Sequence, residues 1–246
     1  MVDMHSHILP GVDDGVSSLS DALAMLRLAA KDGVMMQVLT PHIHVRRYPR
    51  NNRERLERRF REFQDAVRGE AIPIDLHLAG EVRICPEVRD MVERDQIPWL
   101  GEWAGHKTFL LEFPMNSLPV GSENLVLWLR RAGTLPVIVH PERNLVFQNH
   151  PEKLQPFLEM DCPLQITAGS LLGRFGRPAQ KLAVQLLKED RVNAIASDAH
   201  NLRYRPPNLA KGVKAAARHV GKQRAAELVT SDVFDLLMGD RHRIAS

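Results

Sequence analysis

The sequence predicts an α/β protein, a mostly parallel sheet or barrel, and three features predict it. Short apolar runs alternate with amphipathic stretches along most of the chain, the pattern of strand–crossover–strand units. The length of 246 residues is about that of one (β/α) barrel. Histidines and carboxylates recur at the C-terminal ends of the apolar runs, and in a parallel barrel those ends share the face that carries chemistry.

The elements follow in order. Val2 to His7 reads as extended, which turns His5 and His7 to one face. Ser20 to Asp32 carries Leu23, Leu26 and Ala30 at helical spacing, with Ser20 as N-cap. Val34 to Leu39 is a buried strand ending in Thr40-Pro41-His42. Asn51 to Arg68 is a helix with Leu56, Phe60, Phe63 and Val67 on one stripe. Strands are expected over Asp75 to Ala79, Thr108 to Phe113, Leu135 to Val139, Leu164 to Thr167 and Val192 to Ala196. Helices are expected over Ser122 to Ala132 and Pro178 to Glu189, and in two C-terminal segments from Asn208 and Lys222. No linker, low-complexity tract or repeat divides the chain, so one domain over 1–246 is expected.

Composition narrows the class. Hydrophobic residues are 44% and charged residues 26%, an ordinary globular mixture. A formal net charge of +3 does not by itself imply nucleic acid. Cys85 and Cys162, the two cysteines, form no repeated spacing, which points to a reducing, cytoplasmic setting. No run is long enough to span a membrane, and no secretory leader is evident.

The polar residues are more telling. His5 and His7 sit two apart and are followed by Asp13, Asp14 and glycines; Asp198 and His200 repeat that spacing at a later strand end. His42 and His140 each adjoin a proline at a strand end, and Glu81 follows a strand and a glycine. Glu112 is a carboxylate at the end of an apolar run, and a buried carboxylate needs a cationic partner. That partner is either a metal ion or an arginine. Five histidines (5, 7, 42, 140, 200) and four carboxylates (14, 81, 112, 198) exceed what one ion can use. The nitrogen–oxygen donor set suits manganese, iron or zinc, with two or three ions.

The segments Asp-Met-His-Ser-His-Ile-Leu-Pro-Gly-Val-Asp-Asp-Gly (3–15), Thr-Pro-His (40–42), Gly-Glu-Val-Arg-Ile (80–84), Leu-Glu-Phe-Pro (111–114), His-Pro-Glu-Arg (140–143), 168–176 and Ser-Asp-Ala-His-Asn (197–201) occur in that order. Together they resemble the PHP superfamily, and within it the CpsB/CapC-type tyrosine-protein phosphatases of bacterial capsule and exopolysaccharide regulation. The resemblance implies a distorted TIM-like (β/α)7 barrel of PHP type. It also implies a manganese-dependent site of three ions and hydrolysis of phosphotyrosine on the tail of a tyrosine autokinase. By motif, His5, His7, Glu112 and Asp198 would hold the first ion. Glu112 would bridge to a second ion with His140 and Glu81, and Asp14, His42 and His200 would hold the third. Asp13 stands beside Asp14 as an alternative. Arg143 and Arg205 resemble phosphate-binding arginines. The loop from His42 to Tyr48, with His44, departs from the family pattern. So do Asn193, where relatives often carry histidine, and the Gly80-Glu81 pair, which lacks an intervening glutamine.

Three divalent ions against four carboxylates leave a site attractive to a phosphate dianion. Hydroxide generated between cations would attack phosphorus, and phenolate is a fair leaving group. A thiolate phosphatase needs arginine six positions after cysteine, but Met91 and Ala168 stand there. Histidinol phosphatase and phosphodiesterase chemistry are the competing enzymatic readings, and a module stapled by metal is the non-catalytic one. Arg46 to Arg61 holds eight arginines, read as a solvated helix face or as a guide for an acidic, tyrosine-bearing tail. Nucleic acid is not expected there, since stacking aromatics are not interleaved.

Overall fold

The computed structural model describes residues 1–239; residues 240–246, the end of the expected domain, lie outside the described residues. From the N-terminus come β1 (Val2–Asp3), α1 (Leu19–Lys31), β2 (Met36–Leu39), β3 (His42–Ile43) and α2 (Arg53–Gly69). Next are β4 (Asp75–Leu78), β5 (Glu81–Arg83), α3 (Val88–Glu93), β6 (Gly101–Trp103), β7 (His106–Glu112) and α4 (Ser122–Arg131). β8 (Thr134–Val139) precedes α5 (Leu145–Asn149) and α6 (Gln155–Glu159), and β9 (Leu164–Thr167) precedes α7 (Ala168–Leu171) and α8 (Arg177–Lys188). β10 (Ala194–Ala196) leads into α9 (Leu209–Val220), α10 (Lys222–Glu227) and α11 (Ser231–Met238).

The strands form two sheets, β1-β2-β4 and β10-β9-β8-β7-β5-β3, parallel throughout except that β6 pairs antiparallel with β7. β2 and β3 share one path interrupted at Thr40-Pro41, and β4 and β5 share another interrupted at Ala79-Gly80. Ala79 N–H donates to the Leu39 carbonyl at 2.9 Å and Glu81 N–H to the Pro41 carbonyl at 3.2 Å, so the two paths stay paired through the break. At the other edge Ser6 bridges Ala199. There Asp198 N–H donates to the His5 carbonyl at 2.9 Å, and His7 N–H donates to the Ala199 carbonyl at 2.8 Å. Counting each interrupted path once, seven parallel strand positions make a ring. This is the distorted (β/α)7 barrel of PHP type; the short β1 and the brief closing seam are its distortion.

The ring interior is apolar. Val2, Met4, Val38, Leu110, Val137, Val139 and Ala196 fill it, and Val233, Leu236 and Leu237 of α11 close its N-terminal end. A second, larger apolar layer lies between strands and helices, with Phe109, Phe147 and Phe157 fully buried. The plug is held closely: a Cβ on Gly101 would stand 2.2 Å from the Leu237 carbonyl oxygen. Gly101→Ala should therefore cost about 1–3 kcal/mol by overpacking. The melting temperature should fall by roughly 2–4 °C per kcal/mol, while kcat of the folded protein stays at the wild-type value. A loss of kcat without a drop in melting temperature would contradict the assignment of Gly101 to the plug.

Local differences from the sequence reading have physical causes. Ser18, not Ser20, caps α1: its side chain accepts the Asp21 N–H at 3.1 Å, which lets Ala22, Met25 and Leu26 face the core. The β6–β7 hairpin turns on Ala104 and Gly105, both at positive φ, as a two-residue hairpin loop requires. The C-terminal pattern from Lys222 divides into α10 and α11. Among the described residues no helix is long and apolar enough to cross a membrane.

Candidate metal centre

Asp3 ends β1, and the chain continues extended, so His5 and His7 point into the C-terminal mouth of the ring. His5 Nδ1 lies 2.8 Å from Gln165 Oε1 on β9, and His7 Nδ1 lies 2.7 Å from Asp13 Oδ2. Both oxygens can only accept, so each Nδ1 carries its proton and each Nε2 is turned to the mouth. The two Nε2 atoms stand 3.3 Å apart. Asp13 also accepts the backbone N–H of His42 at 3.0 Å and of Gly15 at 3.0 Å. It thus braces His7, while Asp14 faces His42 and His200.

Glu81, at the start of β5, occupies the centre. Its Oε1 is 2.9 Å from His140 Nε2 and 3.4 Å from His5 Nε2. Its Oε2 is 2.8 Å from His42 Nδ1 and 3.2 Å from His7 Nε2. Asp198 Oδ1 lies 3.4 Å from the Nε2 atoms of both His5 and His7. His140 (φ 37°) and Asp198 (φ 50°) are left-handed residues at strand ends. This sparsely populated backbone turns their side chains inward.

Among the described residues four donor groups result: His7, Asp14, His42 and His200; His5, Glu81 and His140; His5, His7 and Asp198; and His42, Glu81 and Glu112. All nine metal-site candidates from the sequence appear among them. Glu112 is where the grouping differs from what the resemblance implies. It gathers with His42 and Glu81 rather than with His5 and His7, and its Oε2 is 3.1 Å from Arg83 Nε. The register explains this, because Arg83 stands directly opposite Glu112 in the β5–β7 pairing. Arg143 Nη1 and Arg205 Nη2 both reach Asp198 Oδ2. All of these residues except the buried His5 and His7 line one cleft of about 260 Å³.

Two facts show that the residues fit divalent cations. Glu81 Oε2, Glu112 Oε2 and Asp198 Oδ1 are buried carboxylate oxygens without a hydrogen-bond partner, costly unless a cation compensates them. The donors are imidazole nitrogens and carboxylate oxygens, with no thiolate. Charge in the cluster is strongly coupled. Burial pulls His42 down, but Glu81 and Asp14 hold its pKa up at about 10. Burial opposes His5 and His7 too, yet Glu81 and Asp198 raise the first and Asp13 the second. Burial and the neighbouring Glu81 push Glu112 up to about 7. Burial takes His140 down to about 4, with Arg143 adding to the shift, and His200 down to about 2, with His7 adding.

Cation binding must displace protons from His5, His7 and His42. A raised histidine pKa stabilises the cation-free protein fully below the ordinary value of 6.5 and is lost as pH rises through about 10. Affinity for Mn2+ should therefore climb with pH across that window. Titration calorimetry in buffers of different ionisation enthalpy should record proton release. Binding that is proton-neutral and independent of pH would contradict protonation of these three imidazoles in the cation-free protein.

Several site neighbours have weaker sequence signals. Arg83 sits two residues after Glu81, hence on the same strand face, a signal the alternation carries. Gln165 is a buried amide between Leu164 and Ile166. Glu142 is fully buried, accepting the Thr167 N–H at 2.9 Å and the Ser170 hydroxyl at 2.7 Å. His44 accepts the backbone N–H groups of Arg46 and Arg47 at 3.2 and 3.3 Å and caps a turn. Asn193 accepts the Leu164 N–H at 2.9 Å, a role in joining β9 to the segment before β10. Burial pushes the Cys85 thiol up to about 11 and the Cys162 thiol up to about 12, so both are protonated at neutral pH.

Fold and site define a PHP-type barrel protein with a histidine–carboxylate cluster at its C-terminal mouth. The chain belongs to the CpsB/CapC family of capsular polysaccharide synthesis, whose model matches residues 1–238. It is 33% identical over 206 residues to the putative tyrosine-protein phosphatase CapC of Staphylococcus aureus, covering 84% of this chain and 79% of that one. It is also 33% identical over 205 residues to the tyrosine-protein phosphatase YwqE of Bacillus subtilis, covering 83% and 79%. Among solved structures, those of YwqE from B. subtilis and CpsB from Streptococcus pneumoniae, described as unique metal-dependent tyrosine phosphatases, match with a TM-score of 0.87. That match has 30% identity and covers 96% of this chain and 94% of that one. An organophosphorus hydrolase from Deinococcus radiodurans matches with a TM-score of 0.62 and 13% identity, a likeness of fold.

Proposed function

We propose that the chain, as one domain over 1–246, is a metal-dependent protein-tyrosine phosphatase. The observation that carries this reading is the gathering of nine imidazole and carboxylate donors, seven of which line one cleft together with Arg143 and Arg205. Three ions, manganese by preference with iron or zinc as alternatives, would be held by His5, His7, Asp14, His42, Glu81, Glu112, His140, Asp198 and His200. Bound divalent cations supply Lewis acidity and lower the pKa of water toward about 7.

The chain's own residues do the rest. Arg143 and Arg205 present guanidinium groups whose fork matches phosphoryl oxygens. Gln165 and Asp13 fix the tautomers of His5 and His7. The cleft is too small to admit a folded domain, so the tyrosine must arrive on an extended segment. The relatives' names and the family's link to capsule synthesis support the phosphotyrosine tail of a tyrosine autokinase as substrate, in the bacterial cytoplasm. On α2, Arg53 pairs with Glu57 and Asp95, and Arg59 with Glu62. The loop from Arg46 to Arg50, whose Arg47 lines the cleft and pairs with Asp14 at 3.5 Å, is the part of the basic segment best placed to guide an acidic tail.

The test is an assay of the manganese-reconstituted protein against phosphotyrosyl peptide, histidinol phosphate and single-stranded DNA, with His200→Ala alongside. The peptide should turn over fastest, and His200→Ala should abolish that turnover. Faster hydrolysis of histidinol phosphate would overturn the substrate class. Full activity after chelation would overturn the metal dependence.

A further inference from the structure

Four arginines line the cleft, and three of them share an unusual state. Arg83, Arg143 and Arg205 each carry a buried Nε without a hydrogen-bond partner. Each also lies against a carboxylate of the cluster: Arg143 and Arg205 on Asp198 Oδ2, and Arg83 on Glu112 Oε2. The contact of Arg83 with Glu112, at 3.1 Å, is an ion pair without hydrogen-bond geometry, since Arg83 Nε and Glu112 Oε2 are both unsatisfied. Arg83 is thus held in place by charge and left with its directional bonding capacity unspent.

Its position is distinctive. Arg143 follows β8 and Arg205 follows β10, whereas Arg83 is on β5, on the far side of β7 from both. These three arginines therefore approach the cleft from three different strand positions, and a phosphoryl group has three peripheral oxygens; the fourth, Arg47, lies against Asp14 at 3.5 Å. A carboxylate that binds a divalent cation no longer needs its arginine as counter-ion. Arg83 can then turn its fork to an oxyanion, as Arg143 and Arg205 can when Asp198 is compensated.

From this geometry we infer that Arg83 is a third phosphoryl-binding guanidinium, held on Glu112 in the cation-free protein and passed to the substrate oxyanion once Glu112 is engaged by a cation. The inference rests on the phosphomonoester reading of the site. It assigns to Arg83 two separable duties, counter-ion and oxyanion ligand.

The experiment titrates inorganic phosphate into manganese-loaded wild type, Arg83→Met and Arg83→Lys by calorimetry, and melts each protein with manganese and with chelator. Arg83→Met should weaken phosphate binding by about 10- to 100-fold, the scale of one charge-assisted contact. Arg83→Lys, which keeps the charge and loses the fork, should fall between. Arg83→Met should lower the melting temperature of the chelated protein and leave the loaded protein unchanged. Phosphate affinity within twofold of wild type, or equal melting shifts in both forms, would overturn the inference in favour of a purely structural role. If Arg83→Met does not fold, wild-type phosphate affinity in Arg83→Lys overturns it equally. Arg83-dependent phosphate binding without hydrolysis of phosphotyrosine would sink the phosphatase reading alone. Hydrolysis of phosphotyrosine with Arg83-independent phosphate binding would sink this inference alone.

Discussion

Glu81→Gln should reduce kcat/KM for a phosphotyrosyl peptide by at least about 10²-fold, the scale of losing one electrostatic group from a preorganised site. Among the described residues, Glu81 is the one carboxylate within 3.4 Å of four histidines, 5, 7, 42 and 140. An amide there keeps the shape and removes the charge that two donor groups share. Bound manganese, measured by elemental analysis, should fall as well. The chelated variant should also be less stable at neutral pH, because the same carboxylate supports protonated His5 and His42. Glu112→Gln is the contrast. Burial and Glu81 raise the Glu112 pKa to about 7, so its ionised form costs stability above its ordinary value of 4.5, and fully above about 7. Chelated Glu112→Gln should therefore melt no lower than wild type at pH 8 or so. Identical behaviour of the two variants in the chelated protein would refute the central position of Glu81.

Gly15→Ala should be nearly as damaging, although Gly15 carries no chemistry. A Cβ there would stand 1.9 Å from the His7 carbonyl oxygen and 2.7 Å from the His7 Cβ. The neighbour is backbone, which cannot swing aside as a side chain can. His7 belongs to two donor groups, and Gly15 N–H also holds Asp13, which braces His7. The expected outcome is about 1–3 kcal/mol of lost stability, with manganese occupancy reduced and activity down roughly 10- to 100-fold, as when a brace behind a metal ligand is lost. Wild-type manganese content and turnover in Gly15→Ala would show that the loop 13–15 yields without moving His7.

Much of this arrangement is legible in the residues. Strands and helices follow from apolar runs, and Leu164 to Thr167 matches β9 residue for residue. The position of His140 and Asp198 is legible as strand ends, but their left-handed backbone is not, since neither is a glycine. The partner of Glu112 stays open between a metal and an arginine until strand register sets Arg83 opposite it. Glu81 reads as a ligand of one ion only, in a local motif that departs from the family pattern. Its centrality depends on β5 lying between β3 and β7, which local sequence does not encode. Asp13 and Asp14 are adjacent in sequence, and only tertiary contacts separate the brace from the donor.

The seam that closes the barrel joins residues from opposite ends of the chain. Asp3 accepts the Ser197 N–H across 194 positions, beside the His5–Asp198 contact. Bringing such distant segments together carries the loop-closure entropy that slows folding. At roughly 5–20 residues per second, the ribosome delivers His5 and His7 on the order of 10–40 s before Asp198 and His200. Through that interval the donor groups that contain Asp198 or His200 stay incomplete. An ion offered to the growing chain meets only part of its site.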